Sequence, residues 1–250
     1  MPQHPHIRYE ERYAIRTYEI DSSQRITIPA LVTLMQETAM QQVIKLNVSL
    51  WDLEALNMSW VMMRMQLKIT QLPRLGQTLR ITTNPAGFEK FFTYRDYRVY
   101  NEQDELIATA ASTWLMMDTV KRRMTRIPAF ILKYEPPTDL PFLPRPYNKL
   151  LPIQTPYQRQ TDFKVNWHDL DFNEHLSNVS YIRWMVESME DDFLRRGQLR
   201  QLDLFFRSEA LWKDDIVSEI QEQPDRIFRH RLLRKSDQKE LAVAQSQWDI

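Results

Sequence analysis

The pattern of apolar and polar positions predicts the same order of strands and helix in each half of the chain. The first half opens with a strand-like run at residues 13–20, and residues 29–46 then carry apolar side chains every three or four positions, which predicts an amphipathic helix. Pro29 suits the first turn of that helix. Four segments rich in β-branched and aromatic residues follow and predict strands. These segments are residues 59–69, 77–86, 90–100 and 105–118.

The second half repeats this order. Residues 158–167 are strand-like, and residues 176–195 again have helical period, with Gly197 where the helix is expected to end. Four strand-like segments complete the half. They are residues 199–212, 215–223, 226–236 and 240–250. A succession that recurs once, over so long a period, indicates a duplicated domain rather than a solenoid.

One long helix followed by a run of antiparallel strands is an α+β arrangement. Because only one stripe of each helix is apolar, a curved sheet wrapped around the helix is the economical way to bury that stripe. This arrangement is the hotdog fold. We therefore predict a tandem double hotdog, and two such units usually pair through edge strands.

Proline marks the boundary between the two halves. Eight of the fourteen prolines lie between Pro128 and Pro156, in a segment that cannot form a regular helix or a central strand. Aromatic residues, in which disordered segments are usually poor, occur along it. They are Phe130, Tyr134, Phe142 and Tyr147. We predict an ordered linker at residues 131–156, between an N-terminal domain at residues 1–130 and a C-terminal domain at residues 157–250.

Composition removes several classes of function. The formal net charge is zero, so overall charge does not indicate nucleic acid as a partner. The absence of cysteine excludes disulfides and a cysteine nucleophile, and only three glycines leave no loop that could cradle phosphates. We expect no cofactor and no metal. The sequence shows no apolar run of a secretory signal and no segment of ~18 apolar residues that could span a bilayer, so we expect a cytoplasmic protein.

The candidate chemistry lies at the predicted start of the second helix. Polar and apolar residues alternate along residues 169–175, DLDFNEH. If this stretch is extended, its polar side chains share one face beside a helix N-terminus, and Leu170 and Phe172 face a core. The residues on the polar face would be Asp169, Asp171, Asn173 and His175. Asn173 or Ser177 could equally serve as a helix cap, and the residues alone leave both interpretations open.

The segment DFNEHLSNVSY, residues 171–181, resembles the signature Asp-x-Asn-x-His-x-x-Asn-x-x-Tyr of acyl-acyl carrier protein (acyl-ACP) thioesterases. Three blocks of the first half, beginning at Tyr18, Trp60 and Thr109, resemble the same family in the same order. The resemblance thus covers nearly the whole chain. It implies a double hotdog, catalytic residues in the C-terminal half and a fatty acyl chain that lies mainly in the N-terminal half.

By position in the family's motif, the resemblance implies a site of Asp171, Asn173 and His175, completed by Glu209 from the following strand. Plant relatives commonly have a cysteine directly after this glutamate, whereas this chain has Ala210. Water is therefore the expected attacking group. Glu209 or Asp171 is the expected base, directly or through His175, and Asn173 with backbone N–H groups would hold the oxyanion.

The implied activity is hydrolysis of fatty acyl-ACP, which releases free fatty acid and terminates chain elongation. The expected partner is acyl carrier protein with its phosphopantetheine-linked acyl chain, and a homodimer stays open. Because these carriers are acidic, a basic run in the first half is a candidate docking patch. It consists of Lys121, Arg122, Arg123 and Arg126. The alternatives are an acyl-CoA thioesterase, a non-catalytic acyl-binding hotdog protein, and a hotdog dehydratase, which needs a different Asp/His arrangement.

Overall fold

The computed structural model describes residues 7–145, 149–153 and 157–250. The chain divides into two compact units, of which unit 1 ends at Arg145 and unit 2 extends from there to Ile250. Each unit consists of one antiparallel sheet and a few helices. Within the described residues, no helix is long and apolar enough to cross a membrane.

Unit 1 is built around a sheet in which all neighbouring strands are antiparallel. Its strands are β1 (Tyr9–Ala14), β2 (Met58–Ile69), β3 (Thr78–Glu89), β4 (Phe92–Tyr100), β5 (Leu106–Asp118) and β6 (Arg123–Met124). They pair in the order β1-β3-β4-β5-β2, and β6 pairs with β5. The four strands predicted after the first helix are all present.

The first predicted strand is placed wrongly by the sequence pattern. β1 ends at Ala14, before most of residues 13–20, and a short 3-10 helix forms at Thr17–Glu19. The carboxylate of Glu19 accepts the backbone N–H of Arg16 at 2.8 Å, which caps this turn and ends the extended run.

The long helix of unit 1, α1, spans Ile28–Lys45 and agrees with the prediction. The side chain of Thr27 accepts the backbone N–H of Ala30, and Pro29 lies in the first turn. The buried face of α1 lies against β1 and β3. Two short helices, α2 (Leu50–Glu54) and α3 (Ala129–Leu132), complete the unit.

The first part of the predicted linker is held on unit 1 by specific polar contacts. Buried Asp96 on β4 accepts the backbone N–H of Leu143 at 2.9 Å and pairs with Arg145. Arg98 donates to the carbonyl of Pro141 at 2.6 Å. Buried backbone groups need such partners, so these bonds explain how an irregular segment stays ordered. Tyr147 lies outside the described residues.

Unit 2 has the same kind of sheet. Its strands are β7 (Arg159–Lys164), β8 (Gln198–Phe206), β9 (Asp215–Gln223), β10 (Ile227–Arg234) and β11 (Lys239–Asp249). They pair antiparallel in the order β8-β11-β10-β9-β7. The strands predicted for the second half are therefore present, although β8 ends at Phe206 rather than at residue 212.

The single helix predicted at residues 176–195 is two helices, α4 (Asn178–Glu187) and α5 (Asp191–Arg196). The hydroxyl of Ser188 donates back to the carbonyl of Trp184 at 2.7 Å, a local bond that competes with continuation of the helix. Apolar spacing continues across the break, so periodicity alone did not indicate it.

Gly197 follows α5 as predicted, but not in the left-handed conformation that usually favours glycine there, since its φ is −71°. A Cβ at this position would lie 2.5 Å from the carbonyl oxygen of Phe193. Glycine is therefore required by close packing rather than by its backbone angle.

Candidate active site

The segment that connects β7 to α4 contains a tight turn at residues 171–175. One carboxylate oxygen of Asp171, Oδ1, accepts the backbone N–H of Asn173 at 2.8 Å and that of His175 at 3.2 Å. The backbone N–H of Asp171 donates to the carbonyl of His175 at 2.7 Å, which closes the turn. Glu174 has a positive φ of 60°. The side chain of Asp171 thus fixes the direction in which His175 leaves the turn.

This geometry corrects the interpretation of residues 169–175 as extended. Phe172 does not face a core, because it is 62% exposed. Asp169 does not share the surface of the other polar residues, because it is buried and pairs with Arg183. Alternation with period two also fits a turn whose carboxylate binds its own backbone, and this competing local bond decided the outcome.

His175 and Glu209 lie side by side. The Nε2 atom of His175 is 3.3 Å from Oε2 of Glu209, and the two side chains are 34% and 39% exposed. Glu209 was predicted to lie on a strand, but it lies in the loop after β8, which ends at Phe206. The structure therefore brings together the imidazole and one carboxylate of the predicted site, at a place that solvent reaches.

Asn173 is exposed at the outer side of the turn. Within the part of the chain that the structure describes, its amide side chain makes no hydrogen bond to protein. α4 begins at Asn178, three positions after His175, and Ser177 caps it by accepting the backbone N–H of Ser180. The predicted capping role of Ser177 is thus observed, and the amide of Asn173 is available to a ligand.

Two hydrogen bonds hold the loop of Glu209 beside the turn of His175. The backbone N–H of Leu176 donates to the carbonyl of Ala210 at 2.8 Å, within an antiparallel bridge between His175 and Leu211. The hydroxyl of Tyr181, on α4, donates to the carbonyl of Ser208 at 3.0 Å. The spacing between His175 and Glu209 is therefore fixed by the backbone on both sides.

Tyr181 lies beside this pair, and the sequence pattern indicated no role for it. It is buried, and burial raises the pKa of its hydroxyl, with the negative charges of Glu209 and Asp171 acting in the same direction. The hydroxyl therefore stays protonated and donates to the loop of Glu209. The signal was present, since Tyr181 is the last residue of the quoted signature.

Unit 1 contains the same turn without the same chemistry. Oδ1 of Asp21 accepts the backbone N–H of Ser23 at 2.8 Å and that of Arg25 at 3.1 Å, and the N–H of Asp21 donates to the carbonyl of Arg25 at 2.8 Å. Gln24 has a φ of 62°. The turn is also bonded to the loop after β2 in the same way, because the backbone N–H of Ile26 donates to the carbonyl of Pro73.

The two copies differ at the positions that could react. Where unit 2 has Asn173, His175 and Glu209, unit 1 has Ser23, Arg25 and Leu72. Only the aspartate is common to both turns. Because the turn forms in unit 1 without an imidazole or a second carboxylate, the shared aspartate is sufficient to explain the backbone geometry. The side chains that distinguish unit 2 are then the candidates for chemistry.

The side chain that replaces the cysteine of plant relatives takes no part in the site's surface. Ala210 is fully buried, and its carbonyl oxygen accepts the N–H of Leu176. Four basic residues predicted to form a docking patch are exposed in unit 1. They are Lys121, Arg122, Arg123 and Arg126.

In a comparison with known proteins, each half of the chain matches a family profile. The profile of the acyl-ACP thioesterase N-terminal domain matches residues 6–134, and that of the acyl-ACP thioesterase C-terminal domain matches residues 154–250. A chloroplastic acyl-acyl-carrier-protein hydrolase of Cuphea viscosissima is 24% identical over an alignment of 259 positions, which covers 97% of this chain and 62% of that protein. This chain thus spans less than two thirds of the length of that relative.

Two solved structures share the fold. A 12:0-ACP thioesterase from Umbellularia californica aligns with a TM-score of 0.86 and 19% identity, covering 100% of this chain and 99% of that chain. An acyl-ACP thioesterase from Bacteroides thetaiotaomicron aligns with a TM-score of 0.84 and 16% identity, covering 97% of this chain and 98% of that chain. The predicted α+β double hotdog is confirmed. Since the two family profiles together match most of its residues, the chain belongs to the acyl-ACP thioesterase family.

Proposed function

We propose that this protein hydrolyses the thioester of fatty acyl-ACP and releases free fatty acid, which terminates chain elongation. The observation that carries the proposal is the His175–Glu209 pair, 3.3 Å apart and accessible to solvent, on a turn and an adjoining loop whose copies in unit 1 have neither residue. Membership of the family supports the choice of a thioester as substrate.

His175 is the residue that takes the proton from water. If Nε2 carries its proton towards Glu209, the other ring nitrogen, Nδ1, has the lone pair that can accept a proton. Glu209 then holds the tautomer and stabilises the imidazolium that forms, as a carboxylate does beside a catalytic histidine. The attacking oxygen adds to the thioester carbon, the C–S bond breaks, and the imidazolium returns its proton to the departing thiolate.

Charge that develops on the thioester oxygen needs a donor. The amide of Asn173 lies exposed on the same turn as His175, and the first backbone N–H groups of α4 follow directly after it. These groups supply the oxyanion contacts. Losing one such donor typically lowers the rate by about 100- to 1000-fold.

Asp171 has a different role in this scheme. Its Oδ1 atom is engaged by two backbone N–H groups, and Asp21 makes the same two bonds in the unit that has no histidine. We assign Asp171 to positioning the turn and Glu209 to supporting the base. This assignment separates two carboxylates that the sequence left equivalent.

The test is a thiol-release assay with acyl-ACP substrates of several chain lengths. We expect His175→Ala and Glu209→Gln each to lower kcat by about 100-fold or more, within the range for loss of general acid–base catalysis. Arg25→Ala is the matched control, since Arg25 occupies the position of His175 in the turn of unit 1, and its kcat should stay within about twofold of wild type. Unchanged rates in both unit 2 variants would remove the site.

The same assay distinguishes the alternative functions. Preferred turnover of acyl-CoA over acyl-ACP of equal chain length would favour a CoA thioesterase. Binding of acyl-ACP without thiol release by the wild-type protein would favour a non-catalytic acyl-binding protein. The cytoplasmic location expected from the sequence stays a prediction, since the Cuphea relative is chloroplastic.

A further inference from the structure

Large apolar side chains are exposed on the two loops that carry His175 and Glu209. Trp167 and Phe172 lie on the segment before α4 and are 58% and 62% exposed, and Leu211 and Trp212 follow Glu209 and are 46% and 49% exposed. We call these four residues the apolar rim. Exposed apolar side chains that cluster at one place usually mark a binding surface.

The two tryptophans of the rim contact each other. The rings of Trp167 and Trp212 meet edge to face with centroids 5.3 Å apart, so the two loops touch through them. The ammonium of Lys213 lies 4.1 Å from the ring centroid of Trp212. A cation beside an aromatic pair offers both apolar contact and positive charge to an approaching molecule.

The copy in unit 1 shows that the loops do not need the rim in order to fold. Unit 1 has the same turn, the same 3-10 helix before it and the same bridge between its two loops. Three of the four equivalent positions are polar there. The four equivalents are Thr17, Ser22, Arg74 and Leu75. Since the backbone forms without the aromatic side chains, their presence in unit 2 calls for a role outside the fold.

We propose that the apolar rim is the docking surface for acyl carrier protein, an inference that rests on the proposed function. A carrier that delivers a thioester to His175 must dock within reach of its phosphopantetheine arm, and the rim lies on the two loops that carry His175 and Glu209. Trp residues are enriched among the anchors of protein interfaces, so the exposed pair of Trp167 and Trp212 suits a protein partner. The place of the rim and its aromatic side chains thus fit this partner.

The experiment compares two substrates that carry the same acyl group, acyl-ACP and acyl-pantetheine, in Trp167→Ala and Trp212→Ala. We expect KM for acyl-ACP to rise about 10-fold or more in each variant, as for loss of an interface anchor. The value of kcat/KM for acyl-pantetheine should stay within about twofold of wild type, which also shows that the site is folded. The control is Trp51→Ala, which removes a 61% exposed tryptophan of α2 and should change neither substrate.

Several results would overturn the proposal. Equal losses with both substrates would mean that the tryptophans position the catalytic loops or bind the pantetheine arm. Unchanged KM for acyl-ACP would mean that the carrier docks elsewhere. A change from dimer to monomer in the variants, seen by light scattering, would identify a second copy as the occupant. If wild type fails to hydrolyse acyl-ACP, the proposed function fails, and titration of the tryptophan fluorescence with holo acyl carrier protein still tests the docking surface.

Discussion

The two aspartates that close the matching turns offer a test within one molecule. Asp21→Asn and Asp171→Asn each replace a carboxylate oxygen that accepts two backbone N–H groups, at 2.8 and 3.1 Å in unit 1 and at 2.8 and 3.2 Å in unit 2. Hydrogen bonds to charged groups contribute about 1.5–3 kcal/mol and those between neutral groups about 0.5–1.5 kcal/mol. An amide oxygen can still accept both bonds, so the loss is roughly 1 kcal/mol for each bond.

Each substitution should therefore lower the free energy of unfolding by about 2 kcal/mol, and less where water screens the half-exposed turn. For a chain of this length that unfolds as one unit, 1 kcal/mol shifts Tm by about 2–4 °C, so we expect a fall of roughly 4–8 °C or less in both variants. Thermal unfolding followed by circular dichroism measures it. The two decreases should be similar, because the two turns have the same bonds.

The kcat of Asp171→Asn then distinguishes a positioning role of Asp171 from a catalytic one. If Asp171 only holds the turn, Asp171→Asn should lower kcat on acyl-ACP by less than about 10-fold and leave the shape of the pH profile unchanged. A catalytic base would instead cost about 100- to 10,000-fold. A loss of that size in Asp171→Asn, with no greater fall in Tm than in Asp21→Asn, would refute the assignment of Asp171 to positioning.

Two further predictions concern single buried groups. Tyr181→Phe removes the bond to the carbonyl of Ser208 and should cost about 0.5–1.5 kcal/mol of stability, the usual value of a hydrogen bond between neutral groups. The kcat on acyl-ACP should also fall, because Glu209 is less well held, and an unchanged kcat would contradict the positioning role of Tyr181. His230 is buried, and burial lowers its pKa to about 4, so folding excludes a proton that the unfolded chain binds below about pH 6.5. The stability contributed by neutral His230 is therefore complete above pH 6.5 and falls by up to about 3 kcal/mol as pH falls towards 4. We expect the free energy of unfolding of His230→Gln, measured in urea, to decrease less over that pH range than that of wild type.

The sequence predicted the architecture well because the signals were long and local. The stripe of α1 and the β-branched strands each extend over many residues, so an error at one position changes little. Resemblance to the family, rather than periodicity, indicated that Glu209 would lie near His175. No pattern along the chain relates two loops that are separated by two helices and a strand.

Three of the errors arise where a side chain binds nearby backbone. Asp171 closes a turn that alternation interpreted as extended, Ser188 ends α4 within a continuous apolar period, and Glu19 caps a 3-10 helix within a strand-like run. Each of these bonds involves one short polar side chain and a donor or acceptor two to four residues away. Hydrophobic period is insensitive to such bonds, because they do not change which residues are apolar.

Duplication explains how a reactive site could be placed on one unit without loss of the fold. The turn depends on an aspartate that both units retain, whereas the positions that differ carry side chains that are a third or more exposed in unit 2, as His175 and Glu209 are. Substitutions at exposed positions usually change stability by less than about 0.5 kcal/mol. Chemistry could therefore be gained in one copy, or lost from the other, at little cost to folding. On this argument, transferring histidine to the turn of unit 1 through Arg25→His should be tolerated structurally yet add no activity, because Leu72 supplies no carboxylate beside it.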